Sequence, residues 1–417
     1  MVGTGIFTSL GFQVGDLPSG FTLLFLWLVG GVCAFCGAVS YAELAAALPR
    51  SGGEYHFLSR IYHPAVGFLS GWLSATVGFA APIALAAMAF AKYFAGLAPG
   101  TSPLVMSIGI AILATLVHLH SVVFGGRFQN VATSFKLALI LVFIGVGAFA
   151  SAHVEPLSFL PKAGDGGLIT SAPFAVSLVY VMYSYSGWNA STYIVGEVRD
   201  PSRNVPLSVA IGTGLVTFLY LALNAVFLHV APLDALKGQL DVGHVAASYI
   251  FGVAGGRIMA GLICIGLISS ISAMTWIGPR VTMAMGEDCQ ALRFLAWKNA
   301  QGVPSRAIVV QSLIVITLLL TSTFDMVLTY VQFSLTLCSF LTVLGVMVLR
   351  QTQPALPRPY KTWGYPVTPI LFLAISGWML AHIMRSNPRE SLAGLATLFV
   401  GFVVYFLSPA RPQPVAA

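Results

Sequence analysis

Apolar segments of about 20 residues, separated by short polar loops, make up most of the chain. A helix needs about 20 apolar residues to cross the ~30 Å hydrocarbon core of a bilayer. Only 8% of the residues are charged and 57% are hydrophobic, whereas about 25% are charged in a typical soluble chain. The sequence therefore predicts an all-α integral membrane protein. It excludes a soluble enzyme, a disordered protein and a nucleic-acid-binding protein.

Twelve candidate membrane segments follow one another along the chain. Their ranges are 1–15, 21–48, 65–97, 104–123, 128–150, 172–196, 206–231, 256–285, 306–323, 325–349, 366–385 and 392–408. The first has only about 15 residues, or about 22 Å of helix, which is too short to cross a bilayer alone. We therefore expect an incomplete first segment.

Basic residues are distributed unequally between the two sets of loops. If the N-terminus is cytoplasmic, most Lys and Arg residues fall in the loops that follow even-numbered segments. Cytoplasmic loops of membrane proteins are enriched in Lys and Arg. The distribution predicts this orientation in a multi-pass protein of the cell membrane, and it accounts for the net charge of +7 without a nucleic-acid partner.

Small and helix-breaking residues interrupt segments 1 and 6. Residues 2–7 read Val-Gly-Thr-Gly-Ile-Phe, and residues 183–189 read Tyr-Ser-Tyr-Ser-Gly-Trp-Asn. Such breaks at corresponding positions of two halves indicate a transporter binding site, because unwound backbone in a membrane must line a cavity or bind something. The freed N–H groups suit a carboxylate and the freed carbonyls suit an ammonium, so an amino acid would satisfy both. Close helix packing by small residues is the alternative explanation.

Short motifs extend in order over most of the chain. They are Gly-Thr-Gly-Ile-Phe at 3–7, Ser-Tyr-Ala-Glu-Leu at 40–44, Pro-Arg-Ser-Gly-Gly-Glu-Tyr at 49–55, Gly-Trp at 71–72, Ser-Gly-Trp-Asn at 186–189, Glu-Val-Arg-Asp-Pro-Ser-Arg-Asn-Val-Pro at 197–206, Pro-Arg-Pro-Tyr-Lys at 357–361 and Gly-Tyr-Pro at 364–366. With these motifs the chain resembles the amino acid–polyamine–organocation superfamily, and most closely its L-type amino acid transporter branch.

The resemblance implies the leucine-transporter fold, in which a 5+5 inverted repeat is followed by two further helices. The whole chain, 1–417, would be one transmembrane transporter domain. Residues 1–150 would form the first repeat with a truncated helix 1, residues 172–350 the second repeat, and residues 366–408 helices 11 and 12. In the family a half-helix and a tail precede the Gly-Thr-Gly break, so we expect about 15–30 further residues upstream.

The resemblance also implies which residues bind the substrate. The positions are Thr4, Gly5, Ile6, Tyr183, Ser184, Ser186 and Trp276. The backbone N–H groups of the first three would bind the carboxylate of an amino acid, and the carbonyls of the next three would bind its ammonium. Tyr183 would cover the site, and Trp276 would form a wall of the side-chain pocket. For both aromatic residues, ordinary packing is the alternative.

Lys136 is a charged residue inside apolar segment 5. A charge at that depth is costly, and ionisable residues within a membrane usually have a function. The resemblance implies that its ammonium replaces a sodium ion between helices 1, 5 and 8, with Ser269 or Ser270 as oxygen neighbours. We therefore predict Lys136 as the coupling residue of sodium-independent transport, by proton symport or by exchange. A lysine that snorkels along its helix is the alternative.

The acidic residues predict the charge of the substrate. Each is placed in a loop, as Glu54 is, or at a helix end, as Glu43 is. Glu43 is expected to pair with Arg50 or Arg60, or to be solvated. Because a cationic side chain would then find no carboxylate, we predict secondary transport of neutral amino acids by alternating access. The alternatives are a cationic amino acid or polyamine exchanger and a membrane receptor that binds amino acids without moving them.

Other partners follow from what the sequence lacks. It has no phosphate-binding glycine loop, nucleophile elbow or His-Glu motif, so we predict no enzymatic activity, cofactor or metal. The expected partners are an amino acid, membrane lipid and, for symport, protons. Nucleic acid is not expected. The Cys33–Cys36 pair lies within an apolar helix and is interpreted as packing.

Overall fold

The computed structural model describes residues 2–50, 52–120, 125–149 and 154–407. Parts of four predicted segments lie outside these residues, namely Met1 in segment 1, residues 121–123 in segment 4, residue 150 in segment 5 and residue 408 in segment 12.

The described residues form helices and contain no β-strand. The α-helices are α1 (Gly5–Thr8), α2 (Leu10–Gln13), α3 (Gly20–Ala47), α4 (Glu54–Ile61), α5 (Pro64–Leu73), α6 (Ala80–Leu97), α7 (Pro103–His120), α8 (Gly125–Phe149), α9 (Asp165–Ile169), α10 (Ala172–Tyr185), α11 (Pro201–Val230), α12 (Leu233–Leu236), α13 (Val242–Asp288), α14 (Ser305–Thr321), α15 (Phe324–Thr352), α16 (Val367–Ser386) and α17 (Pro388–Leu407). A π-helical turn at Ser74–Gly78 joins α5 to α6, and 3₁₀ turns occupy Ala190–Glu197 and Gln290–Ala296.

Nine apolar spans in the described part of the chain are long enough to cross a membrane. They are α3, α5 with α6, α7, the part of α8 from residue 131, α11, α13, α15, α16 and α17, while α10 and α14 are shorter apolar helices. Each predicted segment from 2 to 12 therefore has its helix, and the predicted all-α membrane architecture is confirmed. Segment 8 corresponds to the part of α13 that follows Gly252, where a φ of 71° separates it from a shorter helical stretch that begins at Val242.

Capping residues set several helix ends. The Ser19 side chain accepts a hydrogen bond from the Thr22 N–H at the start of α3, and Ser171 does the same for Phe174 at the start of α10. These side chains satisfy N–H groups that have no partner within the helix. Pro201 stands in the first turn of α11, where its missing N–H removes no helical hydrogen bond.

The central helices pack in pairs and the outer helices expose apolar side chains. Helix α3 packs along α11, and α6 packs along α13. On outer surfaces Phe218, Phe399 and Phe406 are each 67% exposed. Such an apolar exterior fits contact with lipid rather than water.

Helix α17 connects α5 with α15. Its Thr397 carbonyl accepts a hydrogen bond from Trp72 Nε1 of α5 at 3.0 Å, and its Thr397 hydroxyl lies 2.7 Å from the Tyr330 hydroxyl of α15. One residue of α17 therefore bonds to α5 and to α15, and α15 also lines the second cavity described below.

Candidate functional site

The interruptions in segments 1 and 6 lie against each other. A Cβ atom built on Gly5 would lie 2.5 Å from the Cα atom of Ser184, which is closer than real contacts allow. The Ser9 and Ser184 hydroxyls are 2.9 Å apart, and the Ser9 hydroxyl also donates to the Tyr180 carbonyl at 3.1 Å. Only glycine permits this approach of α1 to α10.

Helix α10 ends at a break that glycine makes possible. Ser186 has an extended backbone, and Gly187 has a φ of 88°, a value that L-residues rarely adopt. The chain then continues as the 3₁₀ turn from Ala190 to Glu197 instead of extending α10. The backbone around residue 186 is therefore unwound inside the helical bundle.

A cavity of about 100 Å³ lies between the two breaks, and we call it the first cavity. It is lined by Val2, Gly3, Thr4, Gly5, Pro82, Lys136, Tyr183, Ser184, Ser186, Ser270, Ala273 and Met274. The structure thus brings together seven residues singled out from the sequence, which are Thr4, Gly5, Tyr183, Ser184, Ser186, Lys136 and Ser270. Backbone donors, backbone acceptors and one cation meet in this space.

Lys136 extends from α8 to the break of segment 1. Its ammonium donates hydrogen bonds to the Val2 carbonyl at 3.1 Å and to the Ser270 hydroxyl at 3.3 Å. Its stem passes Gly266 of α13, where an added Cβ would lie 3.3 Å from the lysine Cγ. The side chain is only 4% exposed and therefore does not reach a polar surface by snorkelling.

The carbonyls at the end of α10 already have protein partners. The Ser184 carbonyl accepts from the Tyr220 hydroxyl at 3.1 Å, and the Tyr183 carbonyl accepts from the Ser186 N–H at 3.0 Å. Since a carbonyl oxygen has two lone pairs, each can accept one further hydrogen bond. Ligand binding at these atoms would add to the existing bonds.

Two residues singled out from the sequence do not line the first cavity. The Ile6 side chain is fully buried in the core. Trp276 faces a third cavity of about 200 Å³ near His118 and Lys298, and its ring stacks 3.5 Å from the Arg280 guanidinium. The structure places Trp276 at this third cavity and not at the first, because it lies two residues, or about 200° of helix rotation, beyond Met274.

A second cavity of about 100 Å³ adjoins the first. The two share Pro82, Ser186 and Met274 in their walls. The other residues of the second cavity are Glu54, Ser74, Gly78, Phe79, Met182, Gly187, Trp188, Asn189, Ala190, Tyr193, Ile277, Gln332, Leu335, Thr336, Ser339 and Phe372. Trp188, rather than Trp276, is the tryptophan that lines this space.

Glu54 lies in the wall of the second cavity and is only 2% exposed. Its carboxylate accepts hydrogen bonds from the Tyr41 hydroxyl, from Ser339 Oγ at 3.1 Å, and from Ser70 Oγ and Asn189 Nδ2 at 3.4 Å each. Burial raises the pKa of this carboxyl above its ordinary value, although the four donors act in the opposite direction.

The expectation that Glu54 lies in a loop away from the site is wrong. Gly52 and Gly53 have φ values of 126° and 53°, and they turn the chain so that α4 begins inside the bundle. The glycine pair in Ser-Gly-Gly-Glu was the available signal for this turn.

Glu43 forms a buried ionic cluster elsewhere. Its carboxylate is bonded by Arg350 at 2.6 and 2.8 Å and by the N–H and hydroxyl of Thr362 at 2.6 Å, and Arg358 lies at 3.5 Å. It is 1% exposed, so neither a solvated end nor a pairing with Arg50 or Arg60 is correct. Arg50 instead lies 3.9 Å from Asp288. Glu43 therefore joins the end of α3 to the end of α15.

Within the described residues, no group of three or more His, Cys, Asp or Glu side chains is arranged to hold a metal ion. The charged groups of the two cavities are Lys136 in the first and Glu54 in the second.

Several known proteins are similar to this sequence over nearly its whole length. The sequence model of the amino acid permease family matches residues 1–411. The mouse Asc-type amino acid transporter 1 and the rat b(0,+)-type amino acid transporter 1 are each 27% identical over 98% of the chain, covering 78% and 84% of those relatives. The rat large neutral amino acids transporter small subunit 2 is 29% identical over 98% of the chain and 78% of its own length.

Proposed function

Because the chain belongs to the amino acid permease family, we propose that it carries amino acids with neutral side chains and does so independently of sodium. Amino acid transport by a multi-pass integral membrane protein, rather than enzymatic activity, follows from the family itself and from the apolar spans. The substrate charge, the ion dependence and the residues of the site are our inference.

The observation that carries the proposal is the first cavity between the two helix breaks. We infer that the N–H groups beside Thr4 and Gly5 bind the substrate carboxylate, because they lie at the start of α1 and line this cavity. The Tyr183, Ser184 and Ser186 carbonyls across the cavity would accept from the substrate ammonium. Ile6 would contribute only its backbone.

The second cavity is suited to the substrate side chain. It adjoins the first through Ser186, Pro82 and Met274, and Leu335 and Phe372 add apolar wall. Gln332 Oε1 is a buried acceptor with no partner among the described residues. The apolar part of the wall favours an uncharged side chain, and Gln332 Oε1 can accept a hydrogen bond from it.

A cationic side chain is disfavoured although Glu54 lines the second cavity. Three donors already occupy Glu54 Oε1 and one occupies Oε2. A substrate ammonium would have to displace some of them, and Lys136 adds a positive charge at the first cavity. Neutral substrates therefore remain our proposal, and a cationic amino acid or polyamine exchanger remains the competing one.

Sodium independence rests on Lys136. Its ammonium bonds simultaneously to the break of segment 1 and to α13, so it supplies a positive charge between them without a bound metal ion. The proposed inverted repeat, 1–150 against 172–350, places the two breaks at matching positions.

Counterflow with the purified chain in proteoliposomes tests the function. Vesicles loaded with unlabelled amino acid should accumulate labelled leucine or alanine, whereas a receptor that does not transport would show binding without uptake. Unlabelled neutral amino acids should compete better than arginine or putrescine. Uptake should be equal in sodium and in choline, and a strong stimulation by sodium would contradict the proposal. One relative is named a small subunit, so an inactive purified chain should also be assayed in cell membranes.

A further inference from the structure

The Glu54 carboxylate accepts hydrogen bonds from four different parts of the helical bundle. On one side it is bonded by Tyr41 of α3 and by Asn189 at the break after α10. On the other side it is bonded by Ser70 of α5 and Ser339 of α15. Helix α3 packs against α10, whereas α5 and α15 are both tied to α17. The carboxylate therefore bridges two groups of helices.

No cation neutralises this carboxylate within the described part of the chain. Its bonded neighbours are three hydroxyls and one amide, and no ion pair to it is found there. The other titratable groups near it, Tyr193 and Cys338, are neutral at physiological pH. Burial of a carboxylate without a cation is costly, and taking up a proton relieves that cost.

The charged groups on or next to α4 do not neutralise the Glu54 carboxylate. Arg50 precedes α4 and has a side chain that is 61% exposed, and Arg60 lies at the far end of the helix and is also exposed. Burial lowers the pKa of His56 to about 4, so this residue is neutral at physiological pH. Glu43 differs from Glu54 because two arginines, Arg350 and Arg358, lie against its carboxylate and neutralise its negative charge.

The second cavity places Glu54 next to the proposed substrate site. The carboxylate lines that cavity, which adjoins the space between the helix breaks. Asn189 lies three residues beyond Ser186, a residue of both cavities. Through its hydrogen bond with Asn189, the protonation state of Glu54 is therefore linked to the backbone around Ser186 at the proposed substrate site.

We propose that Glu54 is a proton-binding site and that transport couples one proton to each amino acid. The inference rests on the proposed function and extends it from amino acid transport to proton symport. One O–H bond forms when the carboxylate takes up a proton on one side of the membrane, and the same bond breaks when the proton leaves on the other side. Protonation removes the negative charge that holds Tyr41 and Asn189 to the α5–α15 side, so the break after α10 is freed to move.

The main experiment compares two transport modes in proteoliposomes. An inward proton gradient should drive wild-type leucine accumulation above equilibrium, and accumulation should fall as external pH rises through the pKa of Glu54. Glu54→Gln, which mimics the protonated state, should lose this accumulation and its pH dependence, and the loss should be much larger than any loss of counterflow exchange measured on the same vesicles. Glu287→Gln removes an exposed carboxylate and serves as the matched control.

The outcomes separate the two proposals. Wild-type counterflow without proton-driven accumulation overturns the proton site and leaves amino acid exchange standing, whereas the absence of wild-type counterflow overturns both. Proton-driven accumulation by Glu54→Gln also overturns the proton site. If that variant does not fold, Ser339→Ala supplies the test. Loss of a donor to the charged form raises the carboxyl pKa, so the pH profile should move to higher pH. An unmoved profile contradicts the proposal.

Discussion

The two cavities each contain one buried charge, and the charges are held in different ways. Lys136 donates to a backbone carbonyl and a serine hydroxyl, and both bonds require a donor at its nitrogen. Glu54 is surrounded by hydroxyls, which can reverse their direction when it takes a proton, and by one amide. The comparison separates an amine that ties the segment 1 break to α13 from a carboxylate whose hydroxyl neighbours can adapt to its protonation.

Replacing Lys136 with alanine is the most severe test of this comparison. We expect Lys136→Ala to reduce counterflow and proton-driven uptake together to below about a tenth of wild type, because the segment 1 break loses its tie to α13. The protein should remain monodisperse in detergent. Lys92→Ala removes an exposed lysine and should transport normally. Normal counterflow by Lys136→Ala would show that the first cavity does not depend on its cation.

Gly5→Val tests the close contact between Gly5 at the segment 1 break and Ser184 of α10. The added side chain meets the Ser184 backbone, so we expect KM for exchange to rise by about tenfold or more, or binding to be lost. Gly212→Val on α11 is the control, since no atom lies within 4 Å of a Cβ built there. Unchanged uptake by Gly5→Val would argue against a substrate site between the breaks.

Glu43→Gln separates a structural carboxylate from a proton-binding one. Removal of one partner from a buried ion pair costs about 3 kcal/mol. We expect the Tm to fall by several degrees because Arg350 and Arg358 lose their carboxylate, while the pH dependence of uptake stays that of wild type. An altered pH profile would mean that Glu54 is not the only carboxylate involved in coupling.

Trp276→Ala should have the smallest effect on transport. The ring lies against Arg280 in the third cavity, so we expect KM to change by less than about twofold, whereas Trp188→Ala should raise KM more. Trp188 lines the second cavity and packs edge-on against Tyr41. The reverse order of effects would place the side-chain pocket at Trp276.

The sequence was sufficient for the helices and for part of the site. Segment length and apolarity located α3 and α15, Gly3-Thr4-Gly5 marked the start of α1, and Ser186-Gly187 marked the break after α10, because these properties are local. The environment of Glu54 was not predictable, since it depends on where a glycine turn directs α4 and on residues far along the chain. Trp276 was misplaced because helix packing, not motif position, sets how a helix is rotated.

The double hydrogen bond at Thr397 has a mechanical consequence. Because Thr397 of α17 is hydrogen-bonded both to Trp72 of α5 and to Tyr330 of α15, α17 ties these two helices to each other. We therefore expect Ser70 and Ser339, which both donate to Glu54, to keep their separation when Tyr41 and Asn189 move during transport. A helix with an apolar, exposed surface would thus hold in place the two helices whose serines donate to a buried carboxylate far from it in sequence.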